Sequence, residues 1–362
     1  MNNIISFQHL GNYYHPISRL LSLITKDKVM PAPPITKKTL ELGTKYAPDT
    51  VCIPFKYNLG NFIESLEQGA NVLFTAGGGC RYRYYAEVTE TILKDLGYNF
   101  KFYKLIKQDM INWKDAYDIF KEINPNLTIP YFIHSIIYTI LYIFYMDEID
   151  KIIRKNIGFE IEKNAHQTLQ KEMFNDFNKT SSITKLTILY KKYKKRFKKI
   201  KTNKPKDCLK VGIIGELYTS MEPYSNYDLE KELAKEHIEI KRFTNLSYLL
   251  WQKPLLRRRL KKKAKKYCKY KLGADGLDNV YRSIYLGKKK YDGIIHIKPF
   301  GCTPEITAIP IIQKVCNDYE IPIIFFSYDS ETGSEGINTR LEAFKDLITI
   351  RRNKIDKSLS RN

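Results

Sequence analysis

The chain has 362 residues, 43% of them hydrophobic and 13% aromatic. That is enough apolar material for two ordinary domains, each with its own core, and it excludes a disordered chain. The net charge of +22 is not spread evenly: residues 185–206 hold 11 basic and no acidic residues, residues 253–271 hold the same, and the remaining 39 basic residues balance 39 acidic ones. Six cysteines at irregular spacing exclude the disulfide framework of a small secreted module and point to a reducing compartment, the cytoplasm.

The first residues, MNNIISFQHLGNYYHP, show neither the charged start nor the apolar run of a secretory signal. The spacing predicts a strand over 2–7, a helix over 16–24 and a short strand over 28–30 before the PAPP turn. A helix capped by Thr36 runs to Tyr46. After APDTVC, Pro54 suits the first turn of a helix ending near Glu67. A buried strand over 72–75 leads into Gly77, Gly78, Gly79 and Cys80, then a helix from Arg83 to Leu96 and a strand over 99–105. Residues 109–197 read as helical, and their most apolar stretch, Tyr131 to Met146, is short for a membrane span and contains His134 and Ser135. It reads as a buried helix, and no membrane partner is expected.

A second series begins at LKVGIIGEL (209–217), a strand reaching Gly215 and Glu216. A helix over 227–236 and a strand over 238–243 follow. The second basic segment then reads as a helix containing Cys268, with Trp251 and Leu255 as its apolar face. GIIHIK (293–298) is a strand delivering Pro299, Phe300, Gly301 and Cys302, with a helix from there to Asp318. A strand over 321–327 and the helix INTRLEAFKDLI close the pattern. Strands alternating with helices predict an α/β fold, two Rossmann-like parallel-sheet domains with a helical middle region. The divisions are 1–108, a first α/β domain carrying Cys52 and Cys80; 109–204, a helical bridge with the first basic segment; 205–350, a second α/β domain carrying Cys302; and 351–362, a basic tail.

Cys52, Cys80 and Cys302 share one context. Each precedes a helix, and Cys80 and Cys302 also follow the carboxyl end of a strand with glycine beside them. Those ends line the ligand crevice of an open α/β sheet. Thiolates, helix N-termini and bare glycine backbone suit an anionic iron–sulfide cluster, tuned by N–H bonds to sulfur. Zinc competes, but structural zinc sites commonly use a C-x-x-C knuckle, and the chain has none. Cys208 opens a strand, and Cys316 falls on the apolar face of its helix with Ile309 and Ile312.

Three segments resemble a known family. TVCIPFKYNLGNFIESLEQGANVLFTAGGGCRYRYY (50–85) is similar to the first cysteine block of the 2-hydroxyacyl-CoA dehydratase superfamily, HIKPFGCTPEITA (296–308) to its third cysteine segment, and ETGSEGINTRLEAFKDLI (331–348) to its C-terminal signature. The match is to the activase-associated branch, the CoA-substrate-specific activase-related proteins. It implies two Rossmann-like domains and a [4Fe-4S] cluster on Cys52, Cys80 and Cys302, or a sulfide-bridged double-cubane cluster. Gly77, Gly78, Gly79 and Gly301 lie beside these ligands. It further implies an ATP-hydrolysing activase of actin-like fold as electron donor, a small-molecule or acyl-CoA-like substrate, and a homodimer or heterodimer. The chain carries no Walker A or G-x-G-x-x-G pattern for ATP of its own.

Arg81, Glu216 and Glu305 are the candidate catalytic residues. Arg81, like Lys56, flanks a cluster cysteine and could offset its charge. Glu216 ends a strand at the crevice, and Glu305 begins the helix after Cys302, where a carboxylate also satisfies a helix N-terminus. His296 reads as a core histidine. Tyr82, Tyr84 and Tyr85 read as helix packing, and Arg340 with Glu342 as a structural pair. Two alternatives stay open: a non-catalytic activase accessory or scaffold, and a protein whose basic segments, with Tyr190, Tyr193, Tyr267 and Tyr270, bind nucleic acid or an acidic partner.

Overall fold

The structure, a computed structural model, describes residues 3–77, 80–105, 112–270 and 272–359. Gly78, Gly79, the division at residue 108, Lys271 and the last three residues of the basic tail lie outside them. The chain divides into two compact units, Met1–Met146 with Leu169–Lys195, and Asp147–Thr168 with Arg196–Asn362.

In chain order the first unit holds β1 (Ile4–Phe7), α1 (Tyr14–Thr25), β2 (Lys28–Val29), α2 (Lys37–Tyr46), α3 (Ile53–Glu67) and β3 (Val72–Thr75). A 3-10 turn (Arg81–Tyr84), α4 (Tyr85–Asp95), β4 (Lys101–Lys104) and α5 (Trp113–Ile123) follow. The four strands form a parallel sheet in the order β2-β1-β3-β4. Its central strand β3 is buried along its length, as a strand covered on both faces must be. Ile5, Phe7, Val72, Phe74 and Phe120 pack on one side, and Phe55, Leu59, Phe62 and Leu73 on the other. Thr36 caps α2 in a reciprocal capping box with Thr39.

Three long helices, α6 (Ile129–Asn156), α7 (Ala165–Asn178) and α8 (Ile183–Lys199), follow, and the division between the units passes through each. Among the described residues α6 is the one helix long and apolar enough to cross a membrane, and 44% of its apolar window is buried in the protein. That buried side carries Tyr138, Tyr142 and Met146. The tyrosine hydroxyls are satisfied: Tyr138 donates to the Phe177 and Thr180 carbonyls and Tyr142 to Asn178 Oδ1. Beyond Met146, α6 buries Asp150 and Arg154, and Arg154 bonds Asp150 and Glu230, each at 3.0 Å.

The second unit repeats the topology of the first. Its elements are β5 (Lys210–Gly215), α9 (Leu217–Met221), α10 (Leu229–Lys235), β6 (Glu239–Arg242), α11 (Lys253–Ala264), α12 (Gly276–Lys288), β7 (Gly293–Pro299), α13 (Thr303–Asp318), β8 (Ile323–Tyr328) and α14 (Ser334–Leu359). The sheet is parallel in the order β6-β5-β7-β8. The protein is therefore α/β, with two four-stranded parallel sheets.

Three expectations are corrected here, and one helix is added. Leu255 does not form the apolar face of α11: it is 81% exposed, and Leu260 and Ala264 are the buried residues. Arginines and lysines surround Leu255, so burying it would bury their charge as well. Cys268 lies past the end of α11, where its Sγ donates to the Tyr270 carbonyl. Arg340 does not pair with Glu342; it bonds the Phe325 carbonyl at 2.7 Å and lies over the Phe326 ring. The added helix is α12, whose polar residues Asp278, Asn279 and Arg282, all buried, break the apolar period on which sequence reading relies.

Candidate functional site

In each sheet the connections leave the first strand one way and the third strand the other. The crevice at such a switch point, outside the carboxyl ends of the strands, is where open α/β sheets hold ligands. The switch point lies between β1 and β3 in the first unit, and between β5 and β7 in the second.

In the first unit β1 runs out into Gln8, and β3 into Ala76, Gly77 and the Cys80 turn. Gln8 ties the two ends together: its Oε1 accepts from Thr75 Oγ1 at 2.6 Å, and its Nε2 donates to the Ala76 carbonyl at 3.3 Å and to Tyr82 Oη at 2.9 Å. Asn58 of α3 also donates to the Tyr82 hydroxyl. Cys80 caps the 3-10 turn, its sulfur accepting from the Tyr82 N–H at 3.4 Å. Cys52 is the N-cap of α3, with Pro54 in the first turn as its sequence predicts. Its Sγ lies 3.2 Å from Tyr85 Oη. Burial raises the Tyr85 hydroxyl well above the ordinary tyrosine range, and the charges of Cys52 and then Cys80 push the same way. Tyr82 turns back to Gln8 at the end of β1 and Tyr85 to the N-cap of α3, rather than only packing their helix, while Tyr84 is exposed. Arg81 is exposed and Lys56 half-buried.

In the second unit Cys302 is the N-cap of α13, with Pro304 in the first turn, the arrangement of Cys52. It follows the third strand of its sheet, as Cys80 follows β3. Lys298 is buried nearby, its Nζ donating to the Pro299 and Phe300 carbonyls. Burial lowers its pKa, opposed by the charges of Cys302 and Glu305. Glu216 occupies the position of Gln8, just past the first strand, and caps α9 by accepting from the Tyr218 and Thr219 N–H groups and from Thr219 Oγ1. Burial raises its carboxyl to about 7, beyond what those hydrogen bonds recover.

Glu305 is more than a charge at a helix start. It is buried, with Oε2 2.7 Å from His296 Nε2 and both oxygens accepting from Asn279 Nδ2 at 2.9–3.0 Å. Asn279 also donates to the Gly215 carbonyl at 3.1 Å, tying α12 to the end of β5. Gly301 has open space where a Cβ would be, and a Cβ on Gly77 would meet the Tyr82 carbonyl at 2.9 Å. Cys316 is core, its thiol pushed up to about 12 by burial.

None of the six cysteines is in a disulfide. Among the described residues no three His, Cys, Asp or Glu side chains are gathered as a metal site. Cys52 and Cys302 are helix N-caps, and Cys80 is the N-cap of a 3-10 turn. Sequence reading missed Gln8, Asn58, Lys298 and Asn279. Setting NIISFQ beside KVGIIGE would have drawn attention to Gln8, since each strand ends in a long polar side chain. No protein-family model matches the chain, and no curated protein matches it.

Proposed function

We propose that the chain is a cytoplasmic iron–sulfur protein with two Rossmann-like domains, similar to 2-hydroxyacyl-CoA dehydratases and their activase-related relatives. It accepts a low-potential electron from an ATP-dependent activase, for the reduction or radical dehydration of a small substrate. One observation carries the reading: the same four-strand parallel order occurs twice, each time with a cysteine N-cap in the turn that follows the third strand. A buried core does not require thiols at two equivalent ligand-binding ends.

Cys52, Cys80 and Cys302 would hold the cluster, which when bound supplies one-electron chemistry tuned by burial, charge and N–H bonds to sulfur. Gly301 leaves the backbone bare beside Cys302, while Gly77 lets the Tyr82 carbonyl approach closely in the turn before Cys80. Lys298 and Arg81 offset anionic charge near Cys302 and Cys80. Glu216 holds a proton near neutral pH at the end of β5 and is the group suited to give or take one. Tyr85 orients the Cys52 thiol.

Anaerobic titration with ferrous iron and sulfide tests the reading. Broad visible absorbance that dithionite bleaches should develop in the native protein, and not in Cys52→Ala, Cys80→Ala or Cys302→Ala. Equal development in all three variants would sink it.

A further inference from the structure

The exposed side of α6 and the adjoining side of α8 form a surface that the cysteines do not explain. Both helices belong to the first unit over the residues concerned. They lie side by side: His134 Nε2 is 3.0 Å from the Ser181 carbonyl, Tyr145 Oη is 3.0 Å from Thr187 Oγ1, and the Tyr145 and Tyr190 rings stack at 4.0 Å. Both also lean on α7, α6 through Tyr142 to Asn178 and α8 through Tyr193 to Asp176. At about 100° per residue, the sides turned away from α7 carry Ile133 and Ile137 on α6, and Ile188, Lys191 and Lys195 on α8. Ile133, Ile137 and Ile188 are 50%, 44% and 60% exposed. Both lysines are exposed as well, and neither has an acidic partner among the described residues.

We infer that this face docks on an anionic lipid surface. Isoleucines that reach past the headgroups, flanked by lysines whose long stems let the ammonium groups stay at headgroup level, suit such a surface. The charge is complementary, since within the first unit α8 carries five lysines and no acidic residue over residues 185–195. A protein partner fits less well, because protein interfaces favour aromatic residues and arginine and are depleted in lysine. This is contact with a membrane surface, not a crossing: the other side of α6 is committed to Tyr138, Tyr142 and Met146.

The test is co-sedimentation of the full chain with vesicles of phosphatidylcholine alone or mixed with phosphatidylglycerol, in low and high salt. Binding should require phosphatidylglycerol and weaken in high salt. The pair Ile133→Ser and Ile137→Ser, and separately the pair Lys191→Ala and Lys195→Ala, should each weaken it about tenfold or more, with the circular dichroism spectrum and Tm unchanged. The pair Lys261→Ala and Lys262→Ala on α11 should cost far less. Equal binding to neutral vesicles, no binding, or equal loss from the α11 pair would overturn the inference. So would a dimer in sedimentation velocity that the isoleucine pair dissolves, since a second copy would then cover the face.

Discussion

The Cys52 thiol and the Tyr85 hydroxyl stand 3.2 Å apart, joining the N-cap of α3 to the first residue of α4. The same hydroxyl accepts from the Cys52 N–H at 3.5 Å, and removing it takes away both contacts while the ring keeps its edge-on contact with Phe55 at 4.8 Å. Tyr85→Phe should cost about 1 kcal/mol of stability, read as a lower urea midpoint at unchanged slope. Iron binding should persist, since the sulfur remains.

Glu216 gives stability a pH dependence of defined sign. Its carboxyl is raised in the fold from 4.5 to about 7, chiefly by burial, so the folded state keeps a proton that the unfolded chain releases earlier. Its contribution therefore falls as pH rises from about 4.5 to about 7 and is fully lost above that. Glu216→Gln cannot titrate. Relative to it, the native protein should lose on the order of 3 kcal/mol across that window, measured as the difference between the two urea midpoints against pH. A constant difference would show that Glu216 titrates normally.

Glu305 distinguishes a helix-end charge from a buried anchor. A carboxylate serving only the N-terminus of α13 is worth about 0.3–1 kcal/mol. Glu305→Ala should instead cost about 3 kcal/mol or more, because it strips the buried His296 and Asn279 of their shared partner. Denaturant unfolding decides between the two.

Two glycines should behave in opposite ways. Gly215 has φ +144°, and a Cβ there would lie 1.9 Å from the Ile297 carbonyl, so Gly215→Ala should cost several kcal/mol and move β5 against β7. At Gly301 a Cβ meets nothing, and Gly301→Ala should stay within about 0.5 kcal/mol of the native protein. If the bare backbone beside Cys302 approaches a cofactor, the same substitution should lower iron binding in a protein that is still fully folded.

The strands and the three cysteine turns could be read in the sequence because unbroken runs such as VLFT and GIIHIK are buried on both faces, and because Thr36, Pro54 and Pro304 mark helix starts by their own chemistry. What could not be read came from long-range polar pairing. Nothing local announces that Asn279 reaches Glu305 and the end of β5, that Gln8 spans two strand ends, or that Tyr85 turns back to Cys52. Leu255 misled for a related reason: a lone leucine among arginines looks like an apolar face, yet the residues that pack are the small Ala264 and the later Leu260. The 2-1-3-4 order shared by the two sheets was equally invisible, since it repeats in topology without a sequence period.

The most direct measurement is iron and acid-labile sulfide in protein purified without oxygen, beside Cys80→Ala and Cys302→Ala. About four of each per native chain is expected, falling close to zero in both variants while their circular dichroism spectra match the native one. A colourless, iron-free native protein, or iron that survives both substitutions, would contradict the assignment of these thiols to a cluster.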